Sequence, residues 1–193
     1  MLIAKWKQNP VWALAAPSVT AVKSMANTKT VKVQVKVTMP EGAAACQIYR
    51  KKGTSTVLLG KTTTGIFYDE NPVSGKVSYF ARAVDSTRTS EAGAAKSVTL
   101  PKSTKKVTAT AVKGQKAVTI KWKKVKGATG YVVYRSAKKS SGYRRIAVIK
   151  KGTKLTYTDK KGLKKNSKYY YRIVTVKNKT YSPAKTSKAV KVK

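Results

Sequence analysis

The chain has no histidine, one cysteine and only six acidic residues among 193, against 43 lysines and arginines. Each scarcity removes a class of chemistry. Without histidine and with Cys46 alone, the ligand clusters that zinc or iron sites need are not available within one chain, and disulfide stapling is excluded. A lone cysteine fits a reducing compartment, or an extracellular protein of a bacterium that makes little use of disulfides. General acid and base catalysis would have to come from Glu41, Asp69, Glu70, Asp85, Glu91 and Asp159, and no nucleophile and base stand together. No apolar run approaches the eighteen or so residues of a membrane span. The sequence therefore predicts a non-enzyme without metal or cofactor.

What is present is positive charge, unevenly spread. Residues 1–101 carry 14 basic and 5 acidic side chains, and residues 102–193 carry 29 and 1, so the net charge of +37 divides into +9 and +28. A field of that sign attracts anionic partners and does not choose among them. The lysines occupy nearly every outward position of the second half instead of one stripe, which fits general electrostatic attraction and not groove recognition of a specific nucleic acid. Wall teichoic acid, another anionic glycan or polymer, or an acidic neighbouring protein would satisfy it.

The chain is also a tandem repeat. With a shift of 85, Val33, Val35 and Val37 fall on Val118, Ile120 and Trp122, Gly42 on Gly127, and Tyr49-Arg50 on Tyr134-Arg135. Further on the shift becomes 90, pairing Asp69 with Asp159, Val73 with Leu163, Tyr79 with Tyr169 and Arg82 with Arg172. Within the second copy, short alternating runs rich in Val, Ile, Thr and Tyr recur at VTATAV, AVTIKW, GYVVYRS, YRRIAVI, KLTYTD, YYYRIVTV and AVKVK, with Lys, Gly, Ser and Asn between them. About seven strands in about 90 residues predict a β-sandwich. Alternation turns Val118, Ile120, Trp122, Tyr131 and Val133 inward and leaves the lysines outside. Cys46 aligns with Tyr131 and reads as a small buried hydrophobe. Asp69 and Asp159 share one place in the repeat, where a carboxylate accepts backbone N–H bonds of a turn.

In the stretch KYYYRIVTV the alternation turns Tyr169 and Tyr171 inward and leaves Tyr170 and Arg172 on the other face. Leu163, six residues before Tyr169, has the spacing of a tyrosine corner, whose hydroxyl returns to a backbone group upstream. Candidate ligand-facing residues are Tyr143 with Arg144 and Arg145, beside a turn, and Tyr170 with Arg172.

These residues carry a resemblance. The Trp122 strand, GYVVYRS, the strand ending at Asp159, Leu163 with Tyr169, and AVKVK resemble a fibronectin type III domain of the lysine-rich kind found in surface proteins of Gram-positive gut bacteria. The likeness runs end to end over residues 102–193 and is weaker over 17–101, where Val37 stands for the tryptophan and Val73 for the leucine. It implies an all-β chain of two tandem seven-stranded Greek-key sandwiches, residues 17–101 and 102–193, used as an extracellular spacer, adhesion or substrate-presenting module with no active site. The family commonly uses an aromatic at the place of Tyr143 for packing.

Residues 1–16 fall outside the resemblance. MLIAKWKQNPVWALAAP has the early lysines, short apolar run and small residues of a secretory signal, but Pro10 interrupts it and the run is shorter than the usual ~7–15 residues. It reads equally as a docking arm through Trp6 and Trp12, or as a leader without fixed structure. An arm would suit a structural virion protein, a head decoration or fibre subunit of a phage infecting such bacteria. Between the sandwiches, Pro101 and KSTKK leave about five linker residues, which predicts an end-to-end pair with limited bending.

Overall fold

A computed structural model describes residues 13–193; Trp6 and Trp12 lie outside the described residues. The first sandwich is built from β1 (Val19–Ala26), β2 (Val31–Val37), β3 (Ala45–Lys52), β4 (Ser55–Thr62), β5 (Ile66–Asp69), β6 (Gly75–Val84) and β7 (Lys96–Leu100). They form a three-stranded sheet ordered β1-β2-β5 and a four-stranded sheet ordered β4-β3-β6-β7, with every pairing antiparallel. The second sandwich repeats the order. Its β8 (Val107–Ala111), β9 (Val118–Trp122) and β12 (Thr156–Asp159) make the small sheet; β10 (Gly130–Ser136), β11 (Arg144–Ile149) and β13 (Lys168–Lys177) make most of the large one. Its last strand is divided into β14 (Thr180–Tyr181), β15 (Lys185–Thr186) and β16 (Val190–Lys191), all paired with β13. The chain is all-β, two tandem Greek-key sandwiches of the expected fibronectin type III order.

Period-two alternation explains why each strand buries one face. Val33, Val35, Ile48 and Tyr79 fill the first core together with fully buried Cys46, whose thiol burial pushes up. Val118, Ile120, Tyr131, Val133, Tyr171 and Ile173 fill the second, with the edge of Trp122 against Tyr131 at a ring distance of 5.2 Å. Leu14 and Pro17 are buried as well, and Leu14 joins the first core. The approach is tight: a Cβ on Gly93 would lie 1.5 Å from the Pro17 carbonyl oxygen.

The division of the last strand has a chemical reason. Where β14 leaves the ladder, Ser182 N–H donates to the Thr175 carbonyl (2.9 Å), while Ser182 Oγ accepts the Thr175 N–H (2.9 Å) and donates to Pro183 O (2.8 Å). A hydroxyl thus replaces the missing strand carbonyl and leaves no buried amide unpaired. Ser187 does the same for Tyr171, and Ser90 for Ala83 in the first sandwich.

The paired strands also correct the repeat. Arg50 lies opposite Tyr79 and Arg135 opposite Tyr171, so the counterpart of Tyr79 is Tyr171 and that of Tyr169 is Val77. Likewise Arg82 corresponds to Val174, and Arg172 to Phe80. From aspartate to paired tyrosine the β12–β13 segment (Asp159 to Tyr171) is two residues longer than the β5–β6 segment (Asp69 to Tyr79), beyond the five counted from sequence. It contains the tyrosine corner, in which Tyr169 OH accepts the Lys164 N–H at 3.0 Å; Val77 leaves the first sandwich without one.

The two sandwiches are not end to end. The β1–β2 turn of the first rests on the outer face of β10 and β13: Arg145 N–H donates to Thr28 O (2.8 Å), Tyr134 OH to Asn27 O (3.0 Å), and Ser24 Oγ bridges the backbone of Tyr181. Val31 and Ala26 of the first sandwich pack with Val132, Tyr134, Tyr143 and Val174 of the second. A short linker limits distance, not direction; direction follows from an apolar surface that has to be covered.

Ser182→Ala is expected to leave the buried Thr175 amide without an acceptor and to cost about 1–3 kcal/mol, whereas Tyr169→Phe, whose partner amide lies near solvent, is expected to cost about 0.5–1.5 kcal/mol. Urea denaturation of the whole chain measures both.

Candidate functional site

Titratable groups meet in two buried places, and both are the same device. Asp69 Oδ2 accepts from Arg50 Nη1 (2.5 Å) and Tyr79 OH (2.8 Å), and its Oδ1 from Asn71 N–H (3.0 Å). Asp159 Oδ2 accepts from Arg135 Nη1 (2.8 Å) and Tyr171 OH (3.0 Å), and its Oδ1 from Lys161 N–H (3.3 Å). Each arginine also donates to the turn carbonyl, Asn71 O or Lys161 O. The aspartates are 3% and 2% exposed, so substrate does not reach them. Burial first, then the aspartate charge and hydrogen bond, pushes the Tyr79 and Tyr171 hydroxyls far above the ordinary phenol range. They stay neutral donors at physiological pH. The arrangement ties the end of the fifth strand to the middle of the sixth through the third, which is a structural task.

Asp85, in the loop DSTRTSEAG, is held down to about 2 by the backbone N–H groups of Thr87 and Arg88 and by the Arg88 side chain. Its lone pairs close a turn. Among the described residues no cluster of His, Cys, Asp and Glu is suited to hold a metal ion.

The residues singled out for ligand contact fall around the face that the first sandwich covers. Tyr143 is 4% exposed: its hydroxyl donates to Lys139 O (2.8 Å), and Arg172 lies over its ring at 3.8 Å from the centroid. Arg172 is held further by Thr186 Oγ1 (3.2 Å) and Ser140 O (3.3 Å). Tyr170 is half-buried against the same cluster. Arg144 and Arg145 keep exposed side chains, although the Arg145 backbone is tied to Thr28. Tyr143 and Arg172 are therefore brought together as a packed pair, and Tyr170 borders a seam between sandwiches. Burial under that seam, chiefly by desolvation, pushes the Tyr134 phenol up to about 12.

Outward lysines also lie on the opposite face. On the outer side of the small sheet, Lys106, Lys121 and Lys123 with Thr108 and Thr156 line a shallow cleft of about 420 Å³ whose floor includes Trp122 and Leu155. Sequence reasoning treated these lysines as one undivided shell. The signal was available in the alternation of TIKWKK, which places Lys121 and Lys123 on one face.

No family model matches the chain, and no curated protein does. Solved structures of fibronectin type III proteins are similar to it. A two-domain segment of chicken tenascin is 13% identical, over 92% of this chain and 99% of its own, with a TM-score of 0.42. An Fn3-like protein from Clostridium thermocellum is 26% identical, over 49% of this chain and 94% of its own, with a TM-score of 0.40. At these scores the fold assignment rests on the strand order and register described above.

Asp159→Asn removes the buried carboxylate from partly buried Arg135 and is expected to cost about 1.5–3 kcal/mol, read by chemical denaturation. Tyr134 has a folded pKa above its free value of about 10, so its stabilising contribution is complete below pH 10 and is lost as pH rises through about 12. An alkaline absorbance titration is expected to lose a component near pH 12 in Tyr134→Phe.

Proposed function

We propose that the chain is a non-catalytic, extracellular two-sandwich module, a spacer or adhesion element retained by electrostatic attraction to an anionic envelope polymer or glycan. The observation that carries this reading is the fate of one residue. Asp159 is the only acidic residue between 102 and 193, and it is buried and neutralised by Arg135. The surface of the second sandwich therefore presents lysine and arginine with no carboxylate of its own to offset them. Such a surface draws polyanions over distances set by the ionic strength. No described helix is long and apolar enough to cross a membrane, so attachment through the surface is consistent with the charge. An acidic neighbouring protein would use the same field.

Cosedimentation with purified, teichoic-acid-bearing cell walls tests the reading. Association is expected at about 0.1 M salt and its loss near 1 M, where the screening length falls from about 10 to about 3 Å. Association insensitive to salt, or none at low salt, contradicts it.

One observation favours the structural virion reading. Leu14 is a core residue of the first sandwich and Pro17 is clamped against Gly93, so signal cleavage near Ala15, Ala16 or Pro17 would remove part of the core. Intact-mass measurement of the native protein separates the two: a retained Met1 supports the virion or an intracellular setting, and a cut at Ala15–Pro17 supports secretion.

A further inference from the structure

The two sandwiches provide an internal comparison, because one fold position can be read twice. The β8–β9 register places Thr108 opposite Lys121 and Val107 opposite Trp122, and Lys123 N–H bonds the Lys106 carbonyl. The first sandwich makes the same bonds: Thr38 N–H to Ser18 O, and Thr20 Oγ1 to Lys36 O where the second has Thr108 Oγ1 to Lys121 O. Lys106, Lys121 and Lys123 therefore correspond to Ser18, Lys36 and Thr38. The fold is satisfied by one lysine here, and the second sandwich has three.

The extra charges are unfavourable by themselves. Lys106 and Lys123 face each other across a strand pair, and Lys121 lies two residues away on the same face, about 7 Å distant. Like charges directly opposite destabilise a sheet. The sandwich has no exposed carboxylate to relieve them, as Asp159 is buried elsewhere. An anion seated in the cleft would relieve that repulsion.

We propose that this cleft is the anchoring site of a phosphate-bearing polymer, a polyol phosphate whose phosphates meet Lys106, Lys121 and Lys123 and whose hydroxyl groups meet threonine. The proposal rests on the polyanion reading above and localises it. The register sets Thr110, Thr119 and Thr158 in one row across the sheet and Thr108, Lys121 and Thr156 in the next. Alternating phosphate and hydroxyl groups match alternating ammonium and hydroxyl side chains. These rows carry no aromatic ring, and Trp122 below them is buried. Single-stranded nucleic acid, which relies on stacking its bases on aromatic side chains, finds no platform there.

The test compares three forms of the full chain for binding to poly(glycerol phosphate) at about 0.1 M salt. The double variant Lys106→Ser, Lys123→Thr installs the residues of the first sandwich, and Lys164→Ser, Lys165→Thr removes equal charge from the exposed β12–β13 connection. The cleft variant is expected to bind about tenfold more weakly, the control within about twofold of the natural chain. The cleft variant should also melt no lower than the natural chain, since removing opposed like charges relieves repulsion. Equal weakening of both variants overturns the cleft and leaves the diffuse polyanion reading standing; absence of binding by the natural chain overturns both. A twenty-residue oligothymidine that binds more tightly than the polymer, and loses that affinity in the cleft variant, assigns the site to nucleic acid and overturns the polyol phosphate.

Discussion

The outer face of β10 and β13 is apolar, and the arrangement of the molecule depends on that constraint. In Tyr131-Val132-Val133-Tyr134 and Ile173-Val174-Thr175-Val176 both strand faces are largely hydrophobic, so the sheet buries one side in its own core and needs a cover for the other. Val132, Tyr134 and Val174 are 2%, 1% and 0% exposed, and removing each from water contributes on the order of 1.5–3 kcal/mol. The cover comes from the first sandwich, through Val31, Ala26 and the turn between them. Net charges of +9 and +28 oppose this approach. Uncharged contacts bring the two together: valine, tyrosine and backbone hydrogen bonds.

Docking on one face decides what remains available on the others. Tyr143, Tyr170 and Arg172 are drawn into or beside the seam, and the small sheet of the second sandwich, on the far side of its core, keeps an open lysine and threonine surface. Charge is handled in opposite ways in the two locations. Inside, each aspartate is matched by one arginine, one tyrosine and a turn amide. On the outside of the second sandwich no acidic side chain answers the lysines, because Asp159 is buried.

Much of this was legible in the sequence, for physical reasons that can be named. Period-two alternation revealed the strands, the inward placement of Val118, Ile120, Tyr131 and Cys46, and the turn-bound roles of Asp69 and Asp159. The spacing of Leu163 and Tyr169 identified the tyrosine corner. The repeat was misaligned by two residues beyond Asp159 because Tyr169, Tyr170 and Tyr171 offer interchangeable matches, and only the bond of a tyrosine to its aspartate separates them. The orientation of the sandwiches was missed by counting linker residues instead of asking what would cover Val132 and Val174. Composition also hid the cleft, since a +28 surface looks uniform until register places Lys106 against Lys123.

Formation of the seam in solution is the claim on which the rest stands, and a cysteine pair reads it directly. Thr28 and Arg145 are joined backbone to backbone at 2.8 Å, and Cys46, fully buried, does not compete. In the Thr28→Cys, Arg145→Cys variant, mild oxidation is expected to give rapid, near-complete intramolecular cross-linking, seen as a non-reducing mobility shift absent from either single variant. Failure to cross-link, or cross-linking only between molecules, would show that the turn does not rest on the sheet and that the sandwiches are held apart.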